Sequence, residues 1–312
     1  LIYVDKGQVD EYAAWVKTLS FIEVSDADLD NDTYESAEKQ YLQNNSKQAI
    51  SGFSSYVSKF PNGLHALKAN FYLAQLYFAD NLEANSVKHY EFVVSKPRNE
   101  FTEQALARLC QVHLKAKNYD SAIPVLKRLE TEAEFPQNIT YAQSNLMKSY
   151  YEKQDFTNAV VYADKVLKND KIDDRIKSDA QIIVARSAIK TNDEAKAKEA
   201  YAKLQKIAKG ELAAEALYYD AYFKNKEGKF EPSNVVVQKI AQDYSGYKYY
   251  GAKSLVIMAK NFYGLKDSFQ ATYILESVIE NFKEYTDVIE EAQKELDFIK
   301  GEEAKRNSSI TN

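Results

Sequence analysis

Glycine, proline and cysteine are scarce in this sequence. It has nine Gly and five Pro in 312 residues, too few for the many turns of a β-sandwich or a β-barrel. Good helix formers such as Ala, Lys, Glu, Gln and Leu are abundant instead. These proportions predict an all-α fold.

Long apolar runs are also missing. Apolar runs such as 235–237 fall far short of the roughly 20 apolar residues that a membrane-spanning helix needs, so we expect no transmembrane segment in this fragment. The net charge of −5 and the scattering of Lys and Arg among acidic residues leave no basic stripe for phosphates. We therefore expect no nucleic-acid partner.

The residues that carry chemistry do not form catalytic or metal-binding patterns. Cys110 is the single cysteine, so an internal disulfide is excluded, which fits either a cytoplasmic or a periplasmic protein. His113 follows it by one helical turn, but nothing nearby supplies an oxyanion hole. His65 and His89 have no His or Cys at the spacing of a metal site. The sequence predicts no enzyme, no cofactor and no metal.

Aromatic residues are common, with 24 Tyr and 15 Phe. Some of them recur at the end of the first helix of a repeated unit. A small residue, usually Ala, recurs near the start of the expected second helix of each unit. These positions are the markers, and successive markers are 36 to 38 residues apart. Such a regular spacing predicts one helix pair per unit. The markers are Tyr12, Ala49, Ser86, Ala122, Ala159, Ala197, Ser233 and Ala271.

Other positions align in columns on the markers. Twelve residues earlier stand Ala37, Ala74, Cys110, Met147, Ala185, Ala221 and Ala259, where a small side chain allows two helices to approach closely. Five residues earlier stand Gly7, Asn44, Asn81, Lys117, Gln154, Asn192, Gly228 and Lys266, a column rich in residues that end helices in the left-handed conformation. Four residues later stand Val16, Phe53, Tyr90, Leu126, Ala163, Tyr201, Val237 and Leu275, the expected core face.

This arrangement resembles the tetratricopeptide repeat over essentially the whole chain, although the period is longer than usual and the Trp expected early in the first helix of each repeat is absent. The resemblance implies a right-handed superhelical solenoid of antiparallel helix pairs that binds a protein or peptide in its concave groove. The stretch 60–78 resembles repeat lipoproteins of Tol–Pal and outer-membrane assembly. The chain as a whole resembles the C-terminal part of large tetratricopeptide proteins of Bacteroidota. These resemblances imply a bacterial envelope protein, in the periplasm or on the inner face of the outer membrane, with the cytoplasm as the alternative.

The register predicts the domain organisation. We expect a truncated N-terminal repeat at 1–25, seven helix-pair repeats forming one solenoid at 26–285, a capping helix at 286–300 and a polar tail at 301–312. In the cap, Val288, Ala292, Leu296 and Ile299 share one face. If the sequence is part of a longer chain, its missing N-terminal region could place the protein in a membrane-associated complex.

The resemblance also indicates where a partner would bind, because first helices line the concave groove of the family. Eight residues before the markers lies a row of large side chains, and three residues before that lies a column that becomes mainly basic along the chain. An aromatic row beside a charge gradient suits an extended or helical peptide. The alternative is that the row belongs to the core. The candidate contact residues are Tyr41, Phe78, Leu114, Tyr151, Lys148, Arg186, Tyr222, Lys260 and Tyr263.

Three hypotheses for function follow from the sequence. The first is a non-catalytic scaffold that binds a protein or peptide in the groove. The second is a structural solenoid segment, used for self-association or for stacking on other repeats of the same chain. The third is the repeat region of a larger enzyme whose catalytic domain lies elsewhere.

Overall fold

The computed structural model describes residues 7–18 and 26–310. Across these ranges it contains sixteen α-helices and no β-strand, which confirms the all-α prediction. The helices are α1 (Val9–Thr18), α2 (Asp26–Leu42), α3 (Ser46–Lys59), α4 (Ala66–Ala79), α5 (Glu83–Ser95), α6 (Thr102–Lys115), α7 (Tyr119–Glu132), α8 (Pro136–Glu152), α9 (Phe156–Leu167), α10 (Asp174–Lys190), α11 (Glu194–Leu204), α12 (Glu211–Lys226), α13 (Phe230–Asp243), α14 (Lys248–Gly264), α15 (Ser268–Asn281) and α16 (Thr286–Ile310).

The helices belong to two compact units, whose boundary lies between Asn118 and Tyr119, inside the third expected helix pair. In the first unit, consecutive helices from α2 to α6 pack against each other. In the second unit each helix from α7 to α16 packs against the next, and α8, α12 and α14 also contact α10, α14 and α16. The helix-pair architecture is therefore confirmed within each unit. A single solenoid over 26–285 stays a prediction.

The turn inside each pair has the left-handed backbone that the sequence predicts. Seven of the eight predicted positions have positive φ, and Gly7 does not share this conformation. Three of the seven are Lys or Gln, for which this conformation is strained. The values are 58° at Asn44, 57° at Asn81, 53° at Lys117, 60° at Gln154, 58° at Asn192, 73° at Gly228 and 70° at Lys266.

The α10–α11 turn shows how one residue type can end a helix and begin the next. The Asp193 N–H donates to the Ala188 carbonyl across 2.8 Å, which closes the end of α10 in a Schellman motif. The Asp193 carboxylate then accepts from the Lys196 N–H across 3.1 Å and caps the start of α11. Asp155 and Asp267 cap α9 and α15 in the same way. These short turns leave the two helices of a pair little freedom to shift.

The three expected core columns are buried in every full repeat. From Ala37 and Ala49 onward, each residue of these columns is at most 2% exposed. The helices of a pair touch closely at these positions, since a Cβ built on Gly52 would lie 2.7 Å from that of Ala37. In the α12–α13 pair, Ser233 Oγ donates to the Ala221 carbonyl across 2.8 Å. Small residues at most positions of the two contact columns, with Met147 as the exception, therefore allow this close approach.

The two ends differ. In α1 the side chains of Tyr12 and Val16 hold repeat positions, yet they are 39% and 45% exposed, and Trp15 is 51% exposed. At the other end the four predicted cap residues are at most 5% exposed and pack on α14 and α15. Helix α16 continues to Ile310, ten residues beyond the expected boundary at 300. Ion pairs one turn apart, such as Lys305–Glu302, support this continuation.

The strained turns give a testable prediction. We expect Gln154→Gly and Lys266→Gly each to raise the free energy of unfolding by about 0.5–1 kcal/mol, because glycine adopts positive φ without the steric cost and loses only part of that gain as chain entropy. The matched control is Lys239→Gly, at an exposed position inside α13, which should lower it by about 1 kcal/mol. Urea denaturation of the three variants measures the difference. Equal destabilisation by all three would contradict this account of the turns.

Candidate protein-binding surface

The nine candidate contact residues all lie on the first helices of the pairs. Three are on α2, α4 and α6 of the first unit, and six are on α8, α10, α12 and α14 of the second. Eight are half-buried and Lys148 is exposed. None is fully buried as the core columns are. The row therefore borders the core and keeps part of its surface in solvent.

In the first unit the aromatic side chains of the row join successive first helices. The Tyr41 ring stacks on the Tyr72 ring with centroids 4.4 Å apart, and its hydroxyl donates to Gln75 Oε1 across 3.0 Å. The Arg108 guanidinium lies over the Phe78 ring, 4.9 Å from its centroid. These rings therefore hold repeats together as well as facing solvent.

In the second unit the row is also aromatic but makes different contacts. Tyr151 meets Phe156 edge to face at 5.7 Å, and Tyr263 meets Phe298 of the capping helix in the same way at 5.9 Å. Tyr222, which belongs to the neighbouring column three residues earlier, packs edge to face on Tyr219 at 6.1 Å. Burial raises the pKa of Tyr151, so its hydroxyl stays protonated and can donate a hydrogen bond.

The basic candidates are all paired with carboxylates on the next first helix. Lys148 contacts Asp179 across 2.5 Å, and Lys260 contacts Glu291 across 2.7 Å. In the first unit the acidic member comes first, and Glu38 contacts Lys68 across 2.9 Å. These pairs cancel most of the charge that the column was expected to present. We call them the inter-repeat ion-pair ladder.

The strongest rung of the ladder joins Arg186 on α10 to Glu215 on α12. Two parallel hydrogen bonds of 2.9 and 2.5 Å link the guanidinium to the carboxylate, and the Tyr201 hydroxyl donates a third across 2.9 Å. Glu215 is 2% exposed. Its burial raises its pKa, but the hydrogen bonds and charge of Arg186, with hydroxyls of Tyr250 and Tyr201, outweigh burial and hold the pKa below its usual value. Glu215 is therefore a buried, ionised group that depends on Arg186.

The sequence contained a signal for the ladder that the column comparison missed. In three rungs, one partner stands eighteen residues before the marker of its own repeat, and the other stands eleven residues before the marker of the preceding repeat. The two partners have opposite charges. The pairs are Lys68 with Glu38, Asp179 with Lys148 and Glu215 with Arg186. Charge complementarity between neighbouring repeats, rather than the charge of one column, would have identified it.

Openings remain on this surface between the rungs. In the second unit, a pocket of about 670 Å³ lies between α8 and α10, and its lining includes Lys148, Asp179 and the exposed Arg175. In the first unit, a pocket of about 310 Å³ includes both Tyr41 and Phe78. Each is large enough to hold a few side chains of a bound segment.

Cys110 and His89 are both buried, and burial shifts the pKa of each. Cys110 is fully buried, and burial raises the pKa of its thiol to about 12, so it is protonated near neutral pH. Burial lowers the pKa of His89 to about 4, and its Nδ1 lies 2.7 Å from Asn70 Oδ1. Over residues 7–18 and 26–310, no three or more His, Cys, Asp or Glu side chains form a group that could hold a metal ion.

The same described part of the chain has no helix that is both long and apolar enough to span a membrane. Helix α16, the longest at 25 residues, has a strongly polar composition.

Comparisons with known proteins agree with the repeat. Residues 20–143 match the family model described as a tetratricopeptide repeat-like domain. No curated protein matches the sequence significantly.

Several solved structures are similar to the chain. A tetratricopeptide repeat protein from Parabacteroides merdae is 12% identical with a TM-score of 0.42, over 85% of this chain and 98% of that one. PilW, a type IV pilus biogenesis factor, is 12% identical with a TM-score of 0.34, over 84% of this chain and 97% of that one. A chain of Naa15/Naa10 bound to HypK-THB is 15% identical with a TM-score of 0.47, over 86% of this chain and 39% of that one.

The Arg186–Glu215 rung gives a prediction about stability. We expect Arg186→Met to lower the free energy of unfolding by about 2–3 kcal/mol, because it leaves a buried carboxylate unpaired. The figure lies below that of a fully buried pair, since 41% of the Arg186 side chain is exposed. Thermal and urea denaturation at neutral pH measure the loss.

The matched control is Lys148→Met, which breaks a rung whose side chains are 49% and 29% exposed. It should cost less than about 1 kcal/mol. A loss for Arg186→Met no larger than for Lys148→Met would show that Glu215 does not depend on its partner.

Proposed function

We propose that the chain is a non-catalytic scaffold of the tetratricopeptide repeat type, because residues 20–143 match that family model, and that it binds a protein or peptide along the first-helix surface. The observation that carries the proposal is the half-buried aromatic row on that surface. Rings that are anchored on one side by neighbouring repeats lose little entropy when a partner covers the other side.

The ion-pair ladder supports the same proposal. Since Lys148, Arg186 and Lys260 are already paired within the chain, a partner gains little from their charge. Most of its affinity would come from apolar contact with the large side chains of each unit and from the pocket in each. These side chains are Tyr41, Phe78 and Leu114 in the first unit and Tyr151, Tyr222 and Tyr263 in the second. Interfaces of this kind depend on a few large side chains.

We place the scaffold in a bacterial cell envelope, in the periplasm or on the inner face of the outer membrane. This part of the proposal is supported by the resemblance of 60–78 to envelope repeat lipoproteins. This stretch is also firmly packed. The Leu64 N–H donates to Asp30 Oδ2, the His65 N–H donates to the Tyr56 hydroxyl, and Asn70 Oδ1 lies 2.7 Å from His89 Nδ1.

The exposed apolar face of α1 favours a second candidate, which is self-association or stacking on other repeats. Val9 and Trp15 are each 51% exposed, and Val16 is 45% exposed. A second copy or a further repeat that packs on these side chains would remove them from water.

The test compares the two faces of the helix pairs. The double variant Tyr151→Ala/Tyr263→Ala alters the first-helix surface, and the control Val161→Ala/Tyr273→Ala alters side chains of α9 and α15 that are 47% and 64% exposed. We measure the melting temperature and the capture of partners from an extract of the source cells, per folded molecule. The first variant should lose about tenfold or more of the captured partner, the size expected when interface aromatics are removed, and the control should capture as wild type does.

Two outcomes would contradict the proposal. If the first variant melts far lower while capture per folded molecule is unchanged, the aromatic row is core. If capture depends on Trp15→Ser instead and the captured protein is the chain itself, self-association is the function.

A further inference from the structure

One pocket of the first unit has the features of a site for a negatively charged group. It measures about 310 Å³, and its lining includes Tyr41, Gln75, Leu76, Phe78, Tyr90 and Arg108. These residues come from α2, α4, α5 and α6, so three successive repeats build it together. We call it the Arg108 pocket.

Arg108 differs from the basic side chains of the ladder. Lys68, Lys148, Arg186 and Lys260 each pair with a carboxylate, whereas no carboxylate oxygen within the described ranges lies within 4.0 Å of the Arg108 guanidinium. Its contacts are the face of Phe78 and a single hydrogen bond of 2.9 Å to Gln111 Oε1. Most of its five N–H donors are therefore free to bind an anion.

A second observation points into the same pocket. Tyr90 is 0% exposed, and its hydroxyl is buried without a hydrogen-bond partner. A buried, unpaired hydroxyl is unfavourable, and such groups occur in native proteins where something else completes the bond. Burial raises its pKa to about 12 while the nearby charge of Arg108 opposes the rise, so the hydroxyl is a protonated donor beside the guanidinium.

Gln75 supplies a third donor. Its Oε1 accepts the Tyr41 hydroxyl across 3.0 Å, which fixes the side-chain amide and leaves its Nε2 for another partner. A guanidinium, an amide N–H and a phenol O–H, with no acceptor of comparable strength, match a carboxylate.

The surroundings indicate what carries that carboxylate. Tyr41 on α2 and Leu114 on α6 hold the same place in their repeats as Phe78 on α4, so half-buried apolar side chains flank the pocket on both sides. A segment that crosses the first helices would contact an apolar residue before and after the pocket. The acidic group is then an internal side chain rather than a chain terminus.

We propose that the Arg108 pocket binds the carboxylate of an internal Asp or Glu side chain in the partner segment, with apolar residues on either side of it. Arg108 forms the ion pair, and Gln75 and Tyr90 donate hydrogen bonds. This inference rests on the proposed scaffold function and names the chemistry of its partner.

The experiment selects short random peptides on the whole chain, from one library with amidated or fused C-termini and from a second library with free C-termini. A selected peptide with one Glu is then compared with its Glu→Gln form by fluorescence anisotropy. We expect Asp or Glu to be enriched at one position, and the Gln form to bind about tenfold more weakly, as for a lost charge-assisted hydrogen bond. With Arg108→Gln the two peptides should bind equally weakly.

Two variants separate binding from folding. Tyr90→Phe removes the unpaired hydroxyl, so it should keep or raise the melting temperature while weakening the Glu peptide severalfold. Arg128→Gln removes a basic charge that pairs with Glu132 on α7, so it should leave both affinities unchanged.

Three results would overturn the inference. These are equal binding of the Glu and Gln peptides to wild type, a preference for Glu that survives Arg108→Gln, and peptides that bind only with a free C-terminal carboxylate. In each case the chain still binds peptides and the scaffold function stands. If wild type selects no peptide at all, both proposals fail together.

Discussion

The close approach of the two helices in each pair is the constraint on which the rest of the structure depends. Two columns of small residues permit it, at positions such as Ala221 and Ser233, where a side-chain hydroxyl reaches the facing backbone carbonyl at 2.8 Å. Because the two helices of a pair lie close together, the turn that joins them must be short. Its left-handed residue is therefore retained even where it is Lys117 or Gln154. Larger side chains one turn away then fill the spaces between pairs. The regular spacing of 36 to 38 residues follows from repeating this unit.

The first-helix surface is a consequence of that stacking. Successive first helices are held in register by opposite charges, as in Arg186–Glu215 and Lys260–Glu291, and by stacked rings such as Tyr41–Tyr72. These ion pairs neutralise most of the charge on the first-helix surface, while ring edges and pockets remain exposed. The surface is thus suited to apolar contact with a partner. Arg108 forms no rung of the ladder, so its charge remains available.

Sequence reasoning predicted the fold well because each repeat samples the same environment again. Residues such as Asn192 and Gly228 could be assigned to the turn, and Ala37 to the close contact. The residue types found at the same position of the other repeats settled assignments that one repeat alone would have left ambiguous. The surface was harder. A Tyr such as Tyr151 can pack with its ring and face solvent with its edge, so spacing alone could not separate core from groove. The pairing of Lys148 with Asp179 depends on a neighbouring repeat, and the α1 side chains of Tyr12 and Val16 fit the register yet are exposed.

The most direct test of this account is the free energy of unfolding of Ala221→Leu, measured by urea denaturation beside Val161→Leu, whose side chain is 47% exposed on the outer face of α9. Ala221 is fully buried against the second helix of its pair, so the larger side chain must force the helices apart. The account predicts a loss of about 2 kcal/mol or more for Ala221→Leu and less than about 0.5 kcal/mol for Val161→Leu. Equal stability of the two variants would show that the pairs do not depend on close approach at these columns.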